Sequence, residues 1–280
     1  MMPEALGIER RYVDVDGLRT HYLASGQTGV PIVLVHGGGA GADSIGNWTT
    51  VIATLSSHFR VFAPDMVGFG HTVKPRDASY AYTQDGRDAH LEGFLRALDV
   101  GPVVLVGNSM GGLTSLGVAR RAPALLRALV LMGSAGIPIP PSDHLAAIVE
   151  YDFSEAGMAR LVEALTGQHF VPPPGMIRYR HVLSIEDDTR YAYERITGWM
   201  KARGGLQIEE ALIRLVSAPT LVVAGKNDRV VPVSCAYKFL ELIPQSRGYI
   251  MPNCGHWPMI EYPAEFASVL KQFIDFVEAA

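Results

Sequence analysis

Apolar positions along the chain follow two rhythms. The segments PIVLVHG, FRVFAPD, PVVLVGNS and LRALVLMGSAG are short continuous apolar runs, the pattern of strands covered on both faces as in a parallel sheet. Between them, residues 85–98 carry Ala89, Phe94, Leu95 and Leu98 at near-helical spacing, and residues 113–121 predict a second helix after a glycine pair. Ahead of them, RRYVDVDG and LRTHYLAS predict two antiparallel strands joined across Asp16-Gly17, a dipeptide that accepts the positive φ angles of a hairpin turn. From about Pro140 to Gly205 the rhythm turns helical, in HLAAIVEYDF, GMARLVEAL and YAYERITGWM, with Pro172-Pro173-Pro174 as a rigid connector. APTLVVAG and SRGYIMPN return to strand character, and a helix over residues 263–278 closes the chain. The predicted class is α/β: a mostly parallel central sheet with helices on both faces and an inserted helical lid. Its expected organisation is a core over 1–139, the lid over 140–205 and the rest of the core over 206–280.

Composition narrows the function. With 280 residues, 48% of them hydrophobic, the chain can bury a large core. Its 24 basic and 28 acidic residues give a formal charge of −4 without a long single-sign block, so nothing calls for nucleic acid or an anionic membrane, and a small molecule is the expected partner. Cys235 and Cys254 are too few for a disulfide framework and do not have zinc spacing. No metal is expected, and a reducing compartment fits. The N-terminus lacks the apolar core of a secretory signal, and no apolar run approaches the roughly 18 residues of a membrane span. The expectation is a soluble cytoplasmic protein.

The chemistry enters where strands end. PVVLV leads into Gly107-Asn108-Ser109-Met110-Gly111-Gly112 and then a helix, which is G-x-S-x-G in the strand–turn–helix context that gives the motif meaning. Glycines must flank a nucleophile held on so sharp a turn. The helix that follows contributes its dipole and free N–H groups, so the N–H of Met110 can face an oxyanion. In this arrangement the acid and the histidine come later in the chain. Asp228 follows APTLVVAG and His256 follows SRGYIMPN, which predicts Ser109, Asp228 and His256 as a catalytic triad. Taken alone, Asp228 would read as a turn or capping residue. Asp65 precedes the nucleophile and reads as a loop support. His58, His71, His90, His144, His169 and His181 read as surface or packing residues, His21 as a strand residue, and Cys254 as packing. His36-Gly37-Gly38-Gly39 follows the strand PIVLV and predicts the second oxyanion N–H at Gly38, with His36 holding loops together. A dinucleotide fingerprint is rejected because no helix with a suitably placed acid follows.

These residues together resemble the meta-cleavage product hydrolases of the α/β-hydrolase fold, over nearly the whole chain. The resemblance rests on HGGGAG with Asn47-Trp48, Asp65-Met66-Val67-Gly68-Phe69-Gly70, the Asn108-Ser109-Met110-Gly111-Gly112 segment, Gly225-Lys226-Asn227-Asp228 and Cys254-Gly255-His256-Trp257. It implies hydrolysis of the carbon–carbon bond of a 2-hydroxy-6-oxo-hexa-2,4-dienoate type compound, with water and no cofactor, by a homodimer or higher homo-oligomer. It also implies a lid arginine for the substrate's carboxylate, with Arg180 at the matching place and Arg178 or Arg190 as alternatives, and substrate contacts at Gly37, Asn47, Asn108 and Trp257. Family loops usually read HGGGPG, and Ala40 replaces the proline here.

Three other functions are weighed. A carboxylester hydrolase would use the same triad without an arginine for a carboxylate. A perhydrolase or haloperoxidase-like enzyme fits the motifs less well, and a dehalogenase needs a carboxylate where Ser109 stands. A non-catalytic receptor for a small ligand would have no need of the triad.

Overall fold

A computed structural model describes residues 3–77 and 80–279. Eight strands form one sheet: β1 (Glu9–Val15), β2 (Leu18–Ser25), β3 (Pro31–Val35), β4 (Arg60–Pro64), β5 (Val103–Asn108), β6 (Leu126–Met132), β7 (Thr220–Gly225) and β8 (Ser246–Met251). Their order is β1-β2-β4-β3-β5-β6-β7-β8. β1 pairs antiparallel with β2 and β2 with β4; every later pairing is parallel. The hairpin turns at Asp16 (φ 52°) and Gly17 (φ 83°) as the dipeptide predicted. All residues of β3, β5 and β7 are buried, which is why they read as unbroken apolar runs. The edge strands β1 and β8 are largely exposed or half-buried.

The crossovers are helical: α1 (Ser44–Leu55), α2 (Gln84–Leu98) and α3 (Met110–Arg121). Between β6 and β7 lie α4 (Asp143–Val149), α5 (Glu155–Leu165), α6 (Met176–Ile185), α7 (Asp187–Ala202) and α8 (Glu210–Ile213), and the chain ends through α9 (Val233–Leu242), α10 (Pro258–Glu261) and α11 (Pro263–Glu278). One expectation is corrected: a helix, α1, does follow the glycine-rich loop. Asp43 caps it, accepting from the Gly46 N–H at 2.7 Å. Its sequence is rich in β-branched residues and contains Gly46, which depresses helix propensity, and burial of Trp48, Val51, Ile52 and Leu55 on one face overrides that. The acid that comes next after β4, Asp65, is fully buried and committed to protein groups as described below, so no nucleotide reading returns with the helix.

Parallel pairing brings chemistry to one edge. Val35 faces Gly107 across β3 and β5, and Asn108 faces Met132 across β5 and β6. The loops that leave the carboxyl ends of β3, β5, β7 and β8 therefore converge on one place, as expected for open α/β sheets. Among the described residues, no helix is long and apolar enough to cross a membrane.

Candidate active site

Ser109 stands between β5 and α3 with φ 55° and ψ −119°, a left-handed-side conformation that a serine adopts only when its surroundings impose it. They do so by contact. A Cβ on Gly107 would lie 2.3 Å from the Gly111 carbonyl oxygen, and one on Gly111 would lie 2.3 Å from that of His36. Both positions must be glycine, and the turn is pinned further by the Ser109 N–H donating to the Met132 carbonyl at 3.0 Å.

Asp228 and His256 meet across the ends of β7 and β8. Asp228 Oδ2 accepts from His256 Nδ1 at 2.7 Å, and Oδ1 accepts from the N–H groups of Val230 and Val231, each at 2.8 Å. Three donors therefore hold the carboxylate. The proton on Nδ1 leaves Nε2 as a free base. Nε2 is buried without a hydrogen-bond partner among the described residues, and it lines the same cavity as Ser109.

That cavity measures about 250 Å³. Its floor is formed by Gly37, Gly38, Asn47, Asn108, Met110 and Trp257 beside Ser109 and His256. Gly38 and Met110 touch so closely that a Cβ on Gly38 would meet the Met110 side chain at 2.4 Å. The other walls are mostly apolar: Ile139, Leu145, Ile148 and Val149, Leu165 and Met200 from α5 and α7, and Val230 and Val231 from the Asp228 loop, with Lys201 and Gln207 as their polar members. The sequence reading did not single these out, although Leu145, Ile148 and Val149 sit at i, i+3 and i+4 on α4, the spacing of one helix face.

Of the three candidate arginines, Arg178, Arg180 and Arg190, only Arg180 contacts residues of this floor, lying behind Asn47 and Trp257. Arg178 is exposed, and Arg190 pairs with Glu194 in solvent. Arg180 is 1% exposed. Its Nη2 donates to Asn47 Oδ1 at 2.8 Å, and its guanidinium lies 4.4 Å from the centre of the Trp257 ring. Nε and Nη1 are buried with no partner among the described residues. Burial draws the guanidinium below its ordinary range, against Asp43 and Tyr179; an arginine so placed stays charged. Asn108 is turned to structure on one side, its Nδ2 donating to the Met132 and His256 carbonyls at 3.0 and 3.3 Å, while its Oδ1 is buried without a partner.

The supporting residues behave as expected. His36 Nδ1 donates to the Gly37 carbonyl at 2.7 Å and Nε2 accepts from the Met66 N–H at 3.0 Å, a neutral tautomer that burial favours by lowering the imidazole's pKa. Asp65 accepts from the Ser44 N–H at 2.6 Å, the His71 N–H at 2.7 Å and His21 Nδ1 at 2.8 Å. Burial raises it, but the bond and charge of His21, the nearby His36 and the His71 N–H outweigh that and hold the carboxyl well below its usual range. Cys254 is fully buried with its thiol pushed up by burial, which makes it inert.

A model of the alpha/beta hydrolase fold family matches residues 30–263. A 2-hydroxy-6-oxo-6-(2'-aminophenyl)hexa-2,4-dienoic acid hydrolase from Metapseudomonas resinovorans is 49% identical over 94% of this chain and 90% of its own. Among solved structures, a serine hydrolase involved in carbazole degradation superposes with TM-score 0.89 at 48% identity, covering 96% of this chain and 99% of that one. A meta-cleavage product hydrolase from Pseudomonas fluorescens IP01 superposes with TM-score 0.87 at 30% identity, covering 96% and 98%. The chain belongs to the α/β-hydrolase family and, within it, to the meta-cleavage product hydrolases.

Proposed function

We propose that this protein hydrolyses the C5–C6 bond of a 2-hydroxy-6-oxo-hexa-2,4-dienoate with an aryl group at C6, giving 2-hydroxypenta-2,4-dienoate and an aromatic carboxylic acid. The observation that carries the reading is Arg180: a buried guanidinium with two unpaired donors, resting on Asn47 and Trp257 of the cavity that holds Ser109. A buried cation without a partner is costly, and the dienoate's carboxylate supplies the partner. An ordinary ester hydrolase has no use for such a group. The aryl choice rests on the mostly apolar walls and on the relative whose substrate carries an aminophenyl group at C6.

The chemistry follows from the placement. Breaking a C–C bond leaves a carbanion, so the dienol first ketonises, taking a proton at C5, which conjugates that carbon through C3=C4 to a C2 carbonyl. Ser109 Oγ adds to the C6 ketone and gives its proton to His256 Nε2, while Asp228 fixes the imidazole's tautomer and stabilises its charged form. The N–H groups of Gly38 and Met110 hold the oxyanion. Collapse breaks C5–C6, the electron pair delocalises to the C2 oxygen as a dienolate, and the imidazolium returns the proton to it. Water, deprotonated by His256, then releases the carboxylic acid from Ser109 and restores the serine hydroxyl. Atoms balance with water as the only co-reactant. Gly37, Asn47, Asn108 and Trp257 complete the dienoate's contacts, residues 140–205 cover them as the lid, and the working unit is a cytoplasmic homo-oligomer.

The test uses ring-cleavage products carrying methyl or phenyl at C6. Wild type should bleach the yellow dienolate, faster with phenyl, and Ser109→Ala should abolish turnover. Loss of aryl esters with every dienoate left intact would leave a carboxylester hydrolase as the answer.

A further inference from the structure

Asp43 has two oxygens and needs only one of them to cap α1. Oδ1 accepts from the Gly46 N–H, a job that Asn or Ser performs as well. The carboxylate is nevertheless fully buried, and burial together with the charge of Asp65 pushes it up to about 6. A cap alone does not explain a charge placed at such cost. Its second oxygen accepts from the hydroxyl of Tyr179 on α6. Tyr179 precedes Arg180, so one helix turn sends two side chains to the start of α1: the tyrosine to Asp43 and the guanidinium to Asn47. A Cβ on Gly46 would meet Tyr179 at 3.2 Å and Arg180 Nη2 at 3.7 Å, so α6 is seated on α1 without slack. No carboxylate lies within ion-pair distance of Arg180 among the described residues, and of the charges acting on the buried guanidinium Asp43 is the strongest.

We propose that Asp43 is a positioning residue for the substrate's carboxylate: through Tyr179 it sets α6 against the core, and its charge steadies the Arg180 guanidinium while both remaining donors stay free for the ligand. The arrangement has a chemical logic. An acid in direct contact with Arg180 would compete with the substrate, whereas one held a residue away, its oxygens already committed to Gly46 and Tyr179, offsets the buried charge without occupying the donors. The inference rests on the reading of Arg180 as the carboxylate binder.

Asp43→Asn keeps an acceptor for the Gly46 N–H and so the cap; Tyr179→Phe keeps the ring and removes only the hydroxyl. Steady-state kinetics of the full chain on a C6-phenyl dienoate and on an aryl ester lacking a carboxylate separate positioning from folding. In both variants the dienoate KM should rise about tenfold, the loss of one charge-assisted contact, with a much smaller fall in kcat. The ratio of dienoate to ester kcat/KM should fall by a similar factor. Arg180→Gln, measured beside them, should raise the dienoate KM further. If Arg180→Gln raises KM while Asp43→Asn and Tyr179→Phe leave it within twofold of wild type, the positioning role is wrong and the carboxylate site stands. A parallel fall on both substrates also overturns it, since that is what a merely structural role gives. An unchanged KM in Arg180→Gln would remove the carboxylate site and this inference together.

Discussion

Asp228 is surrounded by donors only: two backbone N–H groups on one oxygen and the His256 ring on the other. An asparagine there must turn its NH2 toward a donor. Either the Val230 and Val231 N–H groups lose their acceptor, or the imidazole moves its proton to Nε2 and can no longer take one from Ser109. Asp228→Asn should therefore fold and lose about 10³–10⁴-fold in kcat on the dienoate; an effect under tenfold, by steady-state assay, would mean that Asp228 does not set the tautomer. The proposed triad could be read from the sequence because backbone geometry demands its glycines and places its acid and histidine after strands. Arg180 was legible only through the family resemblance. Nothing in its local pattern marks it, and its partners Asn47 and Trp257 are remote in the chain. Asp43 and Tyr179 were not legible at all, since their meeting is made by tertiary structure alone.

At the scale of elements, the strands and most helices followed from periodicity, and α6 shows why one helix did not. It buries Arg180 and Ser184 beside Leu183 and leaves Val182 and Ile185 exposed, a mixed polarity on both faces that blurs its apolar stripe. α9 is different: Cys235, Ala236, Phe239 and Leu242 are buried at helical spacing, a signal present in the sequence. The contact of α2 with α3 carries a charge in its seam. Asp88 is buried against Gly117, accepts from Gln84 at 2.6 Å, and is pushed up to about 7 by burial. Its folded pKa is raised, so the protonated form favours the fold: its stabilising contribution is complete below the unfolded value near 4 and is lost as pH rises through 7. Asp88→Asn keeps the Gln84 bond and should raise stability at pH 8 by up to a few kcal/mol, read as a higher thermal midpoint, and change it little at pH 4. A midpoint difference independent of pH would contradict the assignment. On α4, Ile148 faces the cavity. Ile148→Phe should lower kcat/KM more for a C6-phenyl than for a C6-methyl dienoate, and an equal loss on both would take the C6 group away from that wall.

Across the whole molecule, the helices inserted between β6 and β7 are bound to the core at the very loops that carry the acid and the base. The His256 N–H donates to the Leu165 carbonyl at the end of α5, and Arg229, next to Asp228, donates to the carbonyls of Glu163 and Thr166. Glu261 of α10 closes the clasp, accepting from the Gly167 N–H at 2.8 Å and from the Gly255 and Trp257 N–H groups on either side of His256. Leu165, which lines the cavity, is thus tied to the base through the end of α5. Removing the carboxylate strands three backbone donors in a part-buried place, each costing about 1 kcal/mol or more. Glu261→Ala should lower stability by about 2–4 kcal/mol, and hydrogen exchange should speed up in residues 163–168 and 254–257 together rather than in either alone. Joint exposure follows because one side chain satisfies both segments. It should also lower kcat and raise KM together, since the loosened segment carries both His256 and Trp257, on whose ring the Arg180 guanidinium rests. Exchange that rises in only one of the two segments would show that the inserted helices and the core are held by the remaining bonds and that Glu261 serves its own loop.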